Sequence, residues 1–216
     1  MTFSIAARCA RTGQFGITLA TSALAVGSRV PALRAGVGAV IVQYWSDPGL
    51  ARRGIDLVSS GCAATEAVAA MVASTPHHAW RQMAVIDAAG RTASATGDKV
   101  RPVIGEAHGK DCIAIGNIVT NDQVVPAMVA AFEQRPGDDL PDRLLYALNA
   151  GLAAGGEPKP LRSAVMQVVD KHPFPIIDLR IDMDDDPIGA LGDLWAAFSP
   201  RLSEFLLRVD APDRLA

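Results

Sequence analysis

The chain has 216 residues, of which 50% are hydrophobic, and this is enough for one sizeable core and predicts a single domain spanning 1–216. Its 20 basic and 23 acidic residues are mixed along the sequence, which excludes the basic surface typical of nucleic-acid-binding proteins. Long apolar runs are interrupted before they reach the length of a membrane span, and the three widely spaced cysteines are typical of reduced residues. We therefore expect a soluble, cytoplasmic protein with no membrane or nucleic-acid partner.

The first third of the chain predicts three strands followed by two helices. Two β-prone runs at 3–8 and 15–21 flank a polar turn and predict an antiparallel hairpin. A continuous apolar run at 37–43 predicts a third, buried strand. Asp47 before Pro48 is typical of a helix N-cap and predicts a helix to about residue 60, and apolar residues at helical spacing predict a second helix over 64–74.

The remainder of the chain continues this alternation of strands and helix pairs. The runs 82–86 and 92–96 predict a hairpin, and 112–115 predicts one more strand. Asp122 is the expected N-cap of a helix, and a second helix follows over 140–154. A final hairpin is predicted from 163–169 and 176–181. Asp186-Pro187 predicts the start of a C-terminal helix over 187–207, with a break at Ser199-Pro200.

This order of elements predicts an α+β fold. Strands that are joined by short turns are expected to pair antiparallel, and helices that arrive in pairs are expected to cover the outer faces of the sheets. The sequence therefore predicts a four-layer αββα sandwich, in which two stacked and mainly antiparallel sheets lie between helix pairs.

Thr2 is the candidate nucleophile. If Met1 is removed, Thr2 carries a hydroxyl group and a free α-amino group on one residue, and the amine can act as the base for the hydroxyl. Because an α-amino group titrates near ~8, a useful fraction of it is uncharged at neutral pH. Threonine is small enough for methionine aminopeptidase to remove the preceding Met. Many chains begin Met-Thr without catalytic consequence, so the dipeptide alone leaves both interpretations open.

A series of short motifs runs from Thr2 to Trp195. The motifs are Thr2-Phe3-Ser4-Ile5, Ala25-Val26-Gly27, Val30-Pro31, Ala35-Gly36-Val37-Gly38-Ala39-Val40, Gln43, Arg81-Gln82, Val85-Ile86-Asp87, Gly90-Arg91, Thr96-Gly97, Gly116-Asn117, Ala127-Met128, Ala131-Phe132-Glu133, Arg143-Leu144-Leu145, Ala150-Gly151 and Ala153-Ala154-Gly155-Gly156. Together they resemble an uncharacterised bacterial and archaeal family, a domain of unknown function that is grouped by fold with the N-terminal-nucleophile hydrolases.

The resemblance implies the αββα fold and a place in the molecule where activity is expected. In this fold class the first strand presents its N-terminal residue, here Thr2, at one end of the two sheets. The family has no assigned substrate, and fold does not fix chemistry. One segment departs from the family pattern. Many members carry an acidic and arginine-rich turn ending in Gln-Ser-Ala after Gly156, whereas this chain has Glu157-Pro158-Lys159-Pro160-Leu161-Arg162-Ser163-Ala164.

An N-terminal nucleophile needs a nearby cation and hydrogen-bond donors for the oxyanion. Arg29 and Arg34 precede the third strand, near where hydrolases such as the proteasome β-subunits carry a basic group; we prefer Arg34 for the cation and expect Arg29 at the substrate. Ser22 follows the second strand and is expected to orient the amine of Thr2. Gln43 and Asn117 end apolar strands and can donate amide N–H groups to a substrate carbonyl or an oxyanion. Surface or turn-stabilising roles are the alternatives for these side chains.

No cofactor or metal is predicted, because the four histidines lie in predicted loops without a partner at metal-ligand spacing. Two functions stay open. The first is an amidohydrolase that cleaves a small carboxamide or peptide-like bond by acyl transfer to Thr2. The second is a non-catalytic protein of the same fold that binds a small ligand or a partner and keeps Met1. A small-molecule amide is the expected substrate of the first, and the high apolar content favours a homo-oligomer.

Overall fold

The computed structural model describes residues 1–215, which contain ten β-strands and six α-helices. The strands are β1 (Thr2–Arg8), β2 (Phe15–Thr21), β3 (Pro31–Arg34), β4 (Gly38–Tyr44), β5 (Arg81–Asp87), β6 (Thr92–Thr96), β7 (Ile104–Gly109), β8 (Cys112–Asn117), β9 (Ser163–Val169) and β10 (Ile177–Ile181). The helices are α1 (Pro48–Ser59), α2 (Ala64–Ala73), α3 (Val124–Gln134), α4 (Leu140–Ala153), α5 (Pro187–Phe198) and α6 (Leu202–Asp210). None of the helices in this range combines the length and apolar character needed to cross a bilayer.

The strands form two antiparallel sheets. The larger sheet has the order β10-β9-β2-β1-β8-β7, and the smaller has the order β3-β4-β5-β6. β1 lies inside the larger sheet, between β2 and β8. The prediction of an α+β fold with antiparallel sheets is therefore confirmed.

Apolar residues on alternating sides of the strands form three clusters. Phe3 and Ile5 point to one side of β1 and pack with residues of α3 and α4. Ala6 points to the other side and packs with residues of the smaller sheet, such as Ile41. A third cluster lies between the smaller sheet and the helices α1 and α2. The two-residue period of a strand explains why one strand serves two clusters.

The sequence did not predict two of the strands, and both lie at a sheet edge. β3 ends the smaller sheet and β7 ends the larger one. β7 alternates between exposed and half-buried residues, and β3 contains no fully buried residue. In addition, α3 begins after Gln123 rather than at a cap formed by Asp122. The C-terminal segment consists of α5, a 3-10 turn that contains Pro200, α6 and a second 3-10 turn at Pro212–Arg214.

Candidate active site

The layer between the sheets is apolar over most of its length and polar at the end where β1 begins. Ala6 belongs to the apolar cluster, and Ser4 and Thr2 follow on the same face of β1 at two-residue intervals. The cross-strand partner of Thr2 on β8 is Asn117. Thr2 is only 5% exposed, so its side chain is held inside the protein at the edge of this layer.

The hydroxyl group of Thr2 lies against the carbonyl group of the preceding residue. Thr2 Oγ1 donates a hydrogen bond to the Met1 carbonyl oxygen, and Thr21 Oγ1 donates to the same oxygen at 2.6 Å. The two threonine hydroxyls are 3.5 Å apart. One carbonyl oxygen thus accepts from two buried or half-buried hydroxyl groups, which is the arrangement that stabilises negative charge on such an oxygen.

Thr21, which the sequence analysis did not select, takes the place expected for Ser22. In the β1–β2 pair, Phe3 faces Ala20 and Ser4 faces Leu19, so the position opposite Thr2 is Thr21. Ser22 lies one residue further, and its hydroxyl is 3.9 Å from the Met1 sulfur atom. The strand register would have identified Thr21, since cross-strand neighbours point to the same face of a sheet.

Glu157 is a second side chain at this site that the sequence analysis did not select. It is 9% exposed, and its Oε2 accepts a hydrogen bond from the backbone N–H of Ser22 at 3.0 Å. Its Oε1 is buried and has no hydrogen-bond partner among residues 1–215. Burial raises the pKa of Glu157, and this effect is opposed by hydrogen bonds from Ser22 and by the charge of the N-terminal ammonium.

The N-terminal ammonium group of Met1 is a cation at this site, and its pKa depends on the charge of Glu157. Burial lowers its pKa below the ordinary value of 8.0, the charge of Glu157 raises it, and the charge of Lys159 lowers it. The charges of the N-terminal amine and the Glu157 carboxylate therefore affect each other, although no ion pair or hydrogen bond joins them within residues 1–215.

Gly155 and Gly156 position Glu157. They follow α4 with φ values of +127° and +54°, in the region that favours glycine. A Cβ atom on Gly155 would lie 2.2 Å from Thr120 Oγ1, so no larger residue fits there without movement. The turn directs the chain from α4 back to the start of β1, and the Gly156 carbonyl accepts from the N–H of Thr120 at 3.0 Å.

Three amide side chains form a buried network beside Thr2, and all three are fully buried. Gln82 Nε2 donates to the Gly116 carbonyl at 3.0 Å and to the Gly105 carbonyl at 3.3 Å, which fixes the orientation of its amide. Gln82 Oε1 accepts from Gln43 Nε2 at 2.8 Å and from Asn117 Nδ2 at 3.1 Å. In the sequence Gln82 belongs to the Arg81-Gln82 motif, and no role was predicted for it.

This network bears on the roles predicted for Gln43 and Asn117. Gln43 Nε2 donates to Gln82 and to the Ile115 carbonyl, and Gln43 Oε1 accepts from Ser4, so Gln43 has no amide group left for a substrate. Asn117 also donates to Gln82, and only its Oδ1 lacks a partner among residues 1–215. Asn117 therefore offers an acceptor at Oδ1 and keeps one of the two N–H groups of Nδ2 as the donor that the prediction required.

The preferred cation, Arg34, lies at the opposite end of the sheets. Arg34 pairs with Gly38 on β4, and Gln43 lies five residues further along that strand, which corresponds to about 17 Å. The side chain of Arg34 is 45% exposed, and its guanidinium contacts Asp56 at 2.6 Å. The sequence predicts Arg34 at the site because it precedes the buried strand. In the structure Arg34 lies at the end of β3 that is distant from Thr2.

Arg29 lies in the loop that follows β2. Its Nη1 donates to the carbonyl groups of Leu24 and Ala25 at 2.6 and 2.8 Å, and burial lowers its pKa. This arginine stabilises its own loop, and its hydrogen bonds do not extend to Thr2. The structure therefore brings neither predicted arginine into hydrogen-bond contact with the nucleophile.

Three residues with positive φ surround the end of the sheets where β1 begins. Tyr44 follows Gln43 with φ +74°, Ile118 follows Asn117 with φ +51°, and Ala25 in the loop after β2 has φ +51°. Such conformations are costly for residues with a Cβ atom and are concentrated at functional sites. Among residues 1–215, no group of three or more potential metal ligands is gathered at this end or elsewhere.

Comparison with known proteins identifies the family. The sequence model of a family of unknown function, DUF1028, matches residues 2–191. The crystal structure of a protein from Silicibacter pomeroyi that is described as a DUF1028 member is 32% identical, with a TM-score of 0.83, and the match covers 92% of this chain and 89% of that chain.

Two structures of Anbu, an ancestral beta-subunit, are more distant. The protein from Yersinia bercovieri is 12% identical with a TM-score of 0.37, and the match covers 94% of this chain and 96% of that one. A mutant from Hyphomicrobium sp. strain MC1 is 13% identical with a TM-score of 0.40, over 94% and 97% of the two chains. Because both TM-scores are below 0.5, neither bears on the function of this chain. No curated protein matches the sequence. On its sequence and on the Silicibacter structure, the chain belongs to the DUF1028 family of unknown function.

Proposed function

We propose that the chain is an N-terminal-nucleophile hydrolase that cleaves a small carboxamide or peptide-like bond by acyl transfer to Thr2. Thr2 becomes active when the peptide bond that precedes it is cleaved. One observation carries this proposal: the Met1 carbonyl oxygen accepts hydrogen bonds from both Thr2 Oγ1 and Thr21 Oγ1. A substrate carbonyl that approaches Thr2 Oγ1 would have the Thr21 hydroxyl, which lies 3.5 Å from Thr2 Oγ1, beside it as an oxyanion donor.

The arrangement of the sheets supports a four-layer αββα domain of this class. Apolar clusters lie between α3 and α4 and the larger sheet, between the two sheets, and between the smaller sheet and α1 and α2. β1 lies inside the larger sheet, so the residue at its start reaches the polar end of the layer between the sheets. This is the position that an N-terminal nucleophile requires.

The reaction balances with the side chains at the site. Thr2 Oγ1 attacks the substrate carbonyl carbon and gives its proton to its own α-amine, while the Thr21 hydroxyl donates to the oxyanion. The C–N bond breaks, and the leaving amine takes the proton from the Thr2 ammonium. Water then attacks the resulting ester and gives a proton to the α-amine. The C–O bond breaks, the proton returns to Oγ1, and a carboxylic acid is released.

A non-catalytic role is the second candidate, and one observation favours it. The two hydroxyl groups satisfy the Met1 carbonyl, so Met1 fits the site as a permanent occupant. Intact-mass measurement of protein from its native host distinguishes the two functions, since the catalytic one requires that most molecules begin with Thr2.

Substitution of Thr2 tests the chemistry directly. In protein that begins at residue 2, Thr2→Ala should abolish turnover of any amide found by screening, and Thr2→Ser should retain part of it because it keeps the hydroxyl and the amine. The matched control is Thr12→Ala, in an exposed turn at the far end of β1, which should leave turnover and Tm unchanged. Unchanged turnover in Thr2→Ala would end the proposal.

A further inference from the structure

A cavity of about 450 Å³ lies at the end of β1 that is opposite Thr2, about 20 Å from it along the strand. It is formed by the end of β1 and the turn after it, the turn between β7 and β8, the end of α3, the loop after α3, and α4. This volume is in the range of small-molecule sites and exceeds what a single ion needs. The charged residues that line it are Arg8, Arg11, Lys110, Asp111, Glu133 and Arg143.

Arg143 is the most buried of these charged residues, with only 7% exposure. Its Nε and Nη2 donate to the Phe132 carbonyl at 3.2 and 3.0 Å, and its Cζ lies 3.7 Å from the centroid of the Phe132 ring. These contacts join α4 to the last turn of α3 and use one side of the guanidinium. Within residues 1–215 Arg143 forms no ion pair, and its Nη1 donates to no acceptor. Burial lowers the pKa of Arg143, as expected for a buried cation without a counter-ion, and an anion in the cavity would supply one.

Two of the other lining cations already have carboxylate partners. Arg8 Nη1 contacts Asp111 Oδ1 at 2.8 Å, and Arg11 Nη2 contacts Asp139 Oδ1 at 2.8 Å. These pairs hold the wall of the cavity and leave no net charge for a ligand.

The charges that stay unpaired favour a monoanion. Within residues 1–215 the ammonium of Lys110 forms no ion pair, and Glu133 uses Oε1 to accept the backbone N–H of Lys110 at 2.6 Å. Arg143 and Lys110 therefore face one unpaired carboxylate, which leaves an excess of one positive charge. A dianion would be repelled by Glu133 and by Asp111, whereas a single carboxylate would balance the excess.

We propose that this cavity binds a small organic carboxylate. The carboxylate lies at Arg143 Nη1 and the ammonium of Lys110, and the apolar part of the ligand lies against Ala10 and Pro136, which also line the cavity. The Phe132 carbonyl and ring hold the guanidinium in place before the ligand arrives, so little side-chain entropy is lost on binding. This site is separate from the Thr2 end of the sheets, and the inference does not rest on the proposed function.

Titration calorimetry on the full chain tests the inference with matched probes. Benzoate carries a carboxylate on a flat apolar ring, and benzamide has the same ring without the charge. The buffer has low ionic strength and contains no carboxylate or phosphate, because salt would screen the contact. We expect benzoate to bind at least tenfold more tightly than benzamide and more tightly than inorganic phosphate.

Variants locate the bound carboxylate. Arg143→Met should weaken benzoate binding at least tenfold, and its Tm reports whether the loss of the contacts to Phe132 leaves it folded. Lys110→Met removes an exposed charge, so it should fold normally and weaken binding at least threefold. It decides the question if Arg143→Met does not fold. Lys99→Met is the matched control, because Lys99 is an exposed lysine outside the cavity, 5.0 Å from the Trp80 ring, and its loss should leave the affinity unchanged.

Each result decides for or against the carboxylate site. No binding of benzoate, equal affinity for benzamide, or an unchanged affinity in Lys110→Met or in folded Arg143→Met would overturn it. Tighter binding of phosphate than of benzoate would rule out an organic carboxylate as the ligand. Thr2→Ala should bind benzoate as the wild type does, and a loss of binding in that variant would place the ligand at the other end of the sheets and end the inference.

Discussion

Replacing Gln82 by methionine tests whether the buried amide network holds the end of the two sheets together. Methionine has a similar length and volume, so the change removes hydrogen bonds without creating a large cavity. Asn117 Nδ2 loses its acceptor, and Gln43 Nε2 keeps only the Ile115 carbonyl at 3.4 Å. The Gly116 carbonyl loses a donor at 3.0 Å. Each buried group left without a partner costs about 1–3 kcal/mol, so we expect a loss of about 3–5 kcal/mol in the free energy of unfolding.

Urea titration with linear extrapolation measures this loss, provided that the m-value is unchanged. The control is Gln123→Met at the start of α3, where the glutamine is exposed and bonded only to Asp122, and the change should stay within about 0.5 kcal/mol. A loss below about 1 kcal/mol for Gln82→Met would refute the reasoning. It would mean that Gln43 and Asn117 find other partners or that water satisfies them.

Three further predictions follow from the site. Thr21→Val should lower kcat about 10²–10³-fold on any amide that is turned over, because it removes the proposed oxyanion donor, and Thr21→Ser should restore most of it. Arg34→Ala should change kcat/KM less than twofold and stability by less than about 1 kcal/mol, since its ion pair with Asp56 is exposed and distant from Thr2. Burial raises the pKa of Glu157 above its ordinary value of 4.5, so the folded state holds this proton more tightly than the unfolded state does. The free energy of unfolding should therefore fall as the pH rises from about 4.5 through the raised pKa. Tm measured against pH should show this fall in the wild type and lose it in Glu157→Gln.

Local sequence patterns predicted the strands and helices that are buried or strongly periodic. They missed β3 and β7, which lie at the sheet edges and pair with one neighbouring strand only. An edge strand does not require a continuous or strictly alternating apolar run. β7 contains Gly105, Glu106 and His108, which local rules assign to loops. Pairing with β8, a partner close in sequence, makes this segment a strand.

The sequence points to Thr2, whose catalytic role stays a prediction, and it points less clearly to the neighbours of Thr2. A register of β1 against β2 would have selected Thr21 in place of Ser22, since a shift of one residue moves a side chain to the other face. Gln82 carried no local signal, because a polar residue at the start of an apolar strand is typical of a strand end. Glu157 could not be found from sequence: it reaches Ser22 through a two-glycine turn whose direction depends on the packing of α4.

The absence of Arg34 from the site changes how the nucleophile would be activated. An arginine was expected because a nearby cation keeps the amine neutral, yet burial alone already lowers the pKa of the Met1 amine, and Lys159 adds to this effect. Glu157 opposes this by favouring the charged amine. The balance between burial and the charge of Glu157 would then decide how much of the amine is neutral and able to take the proton of the Thr2 hydroxyl.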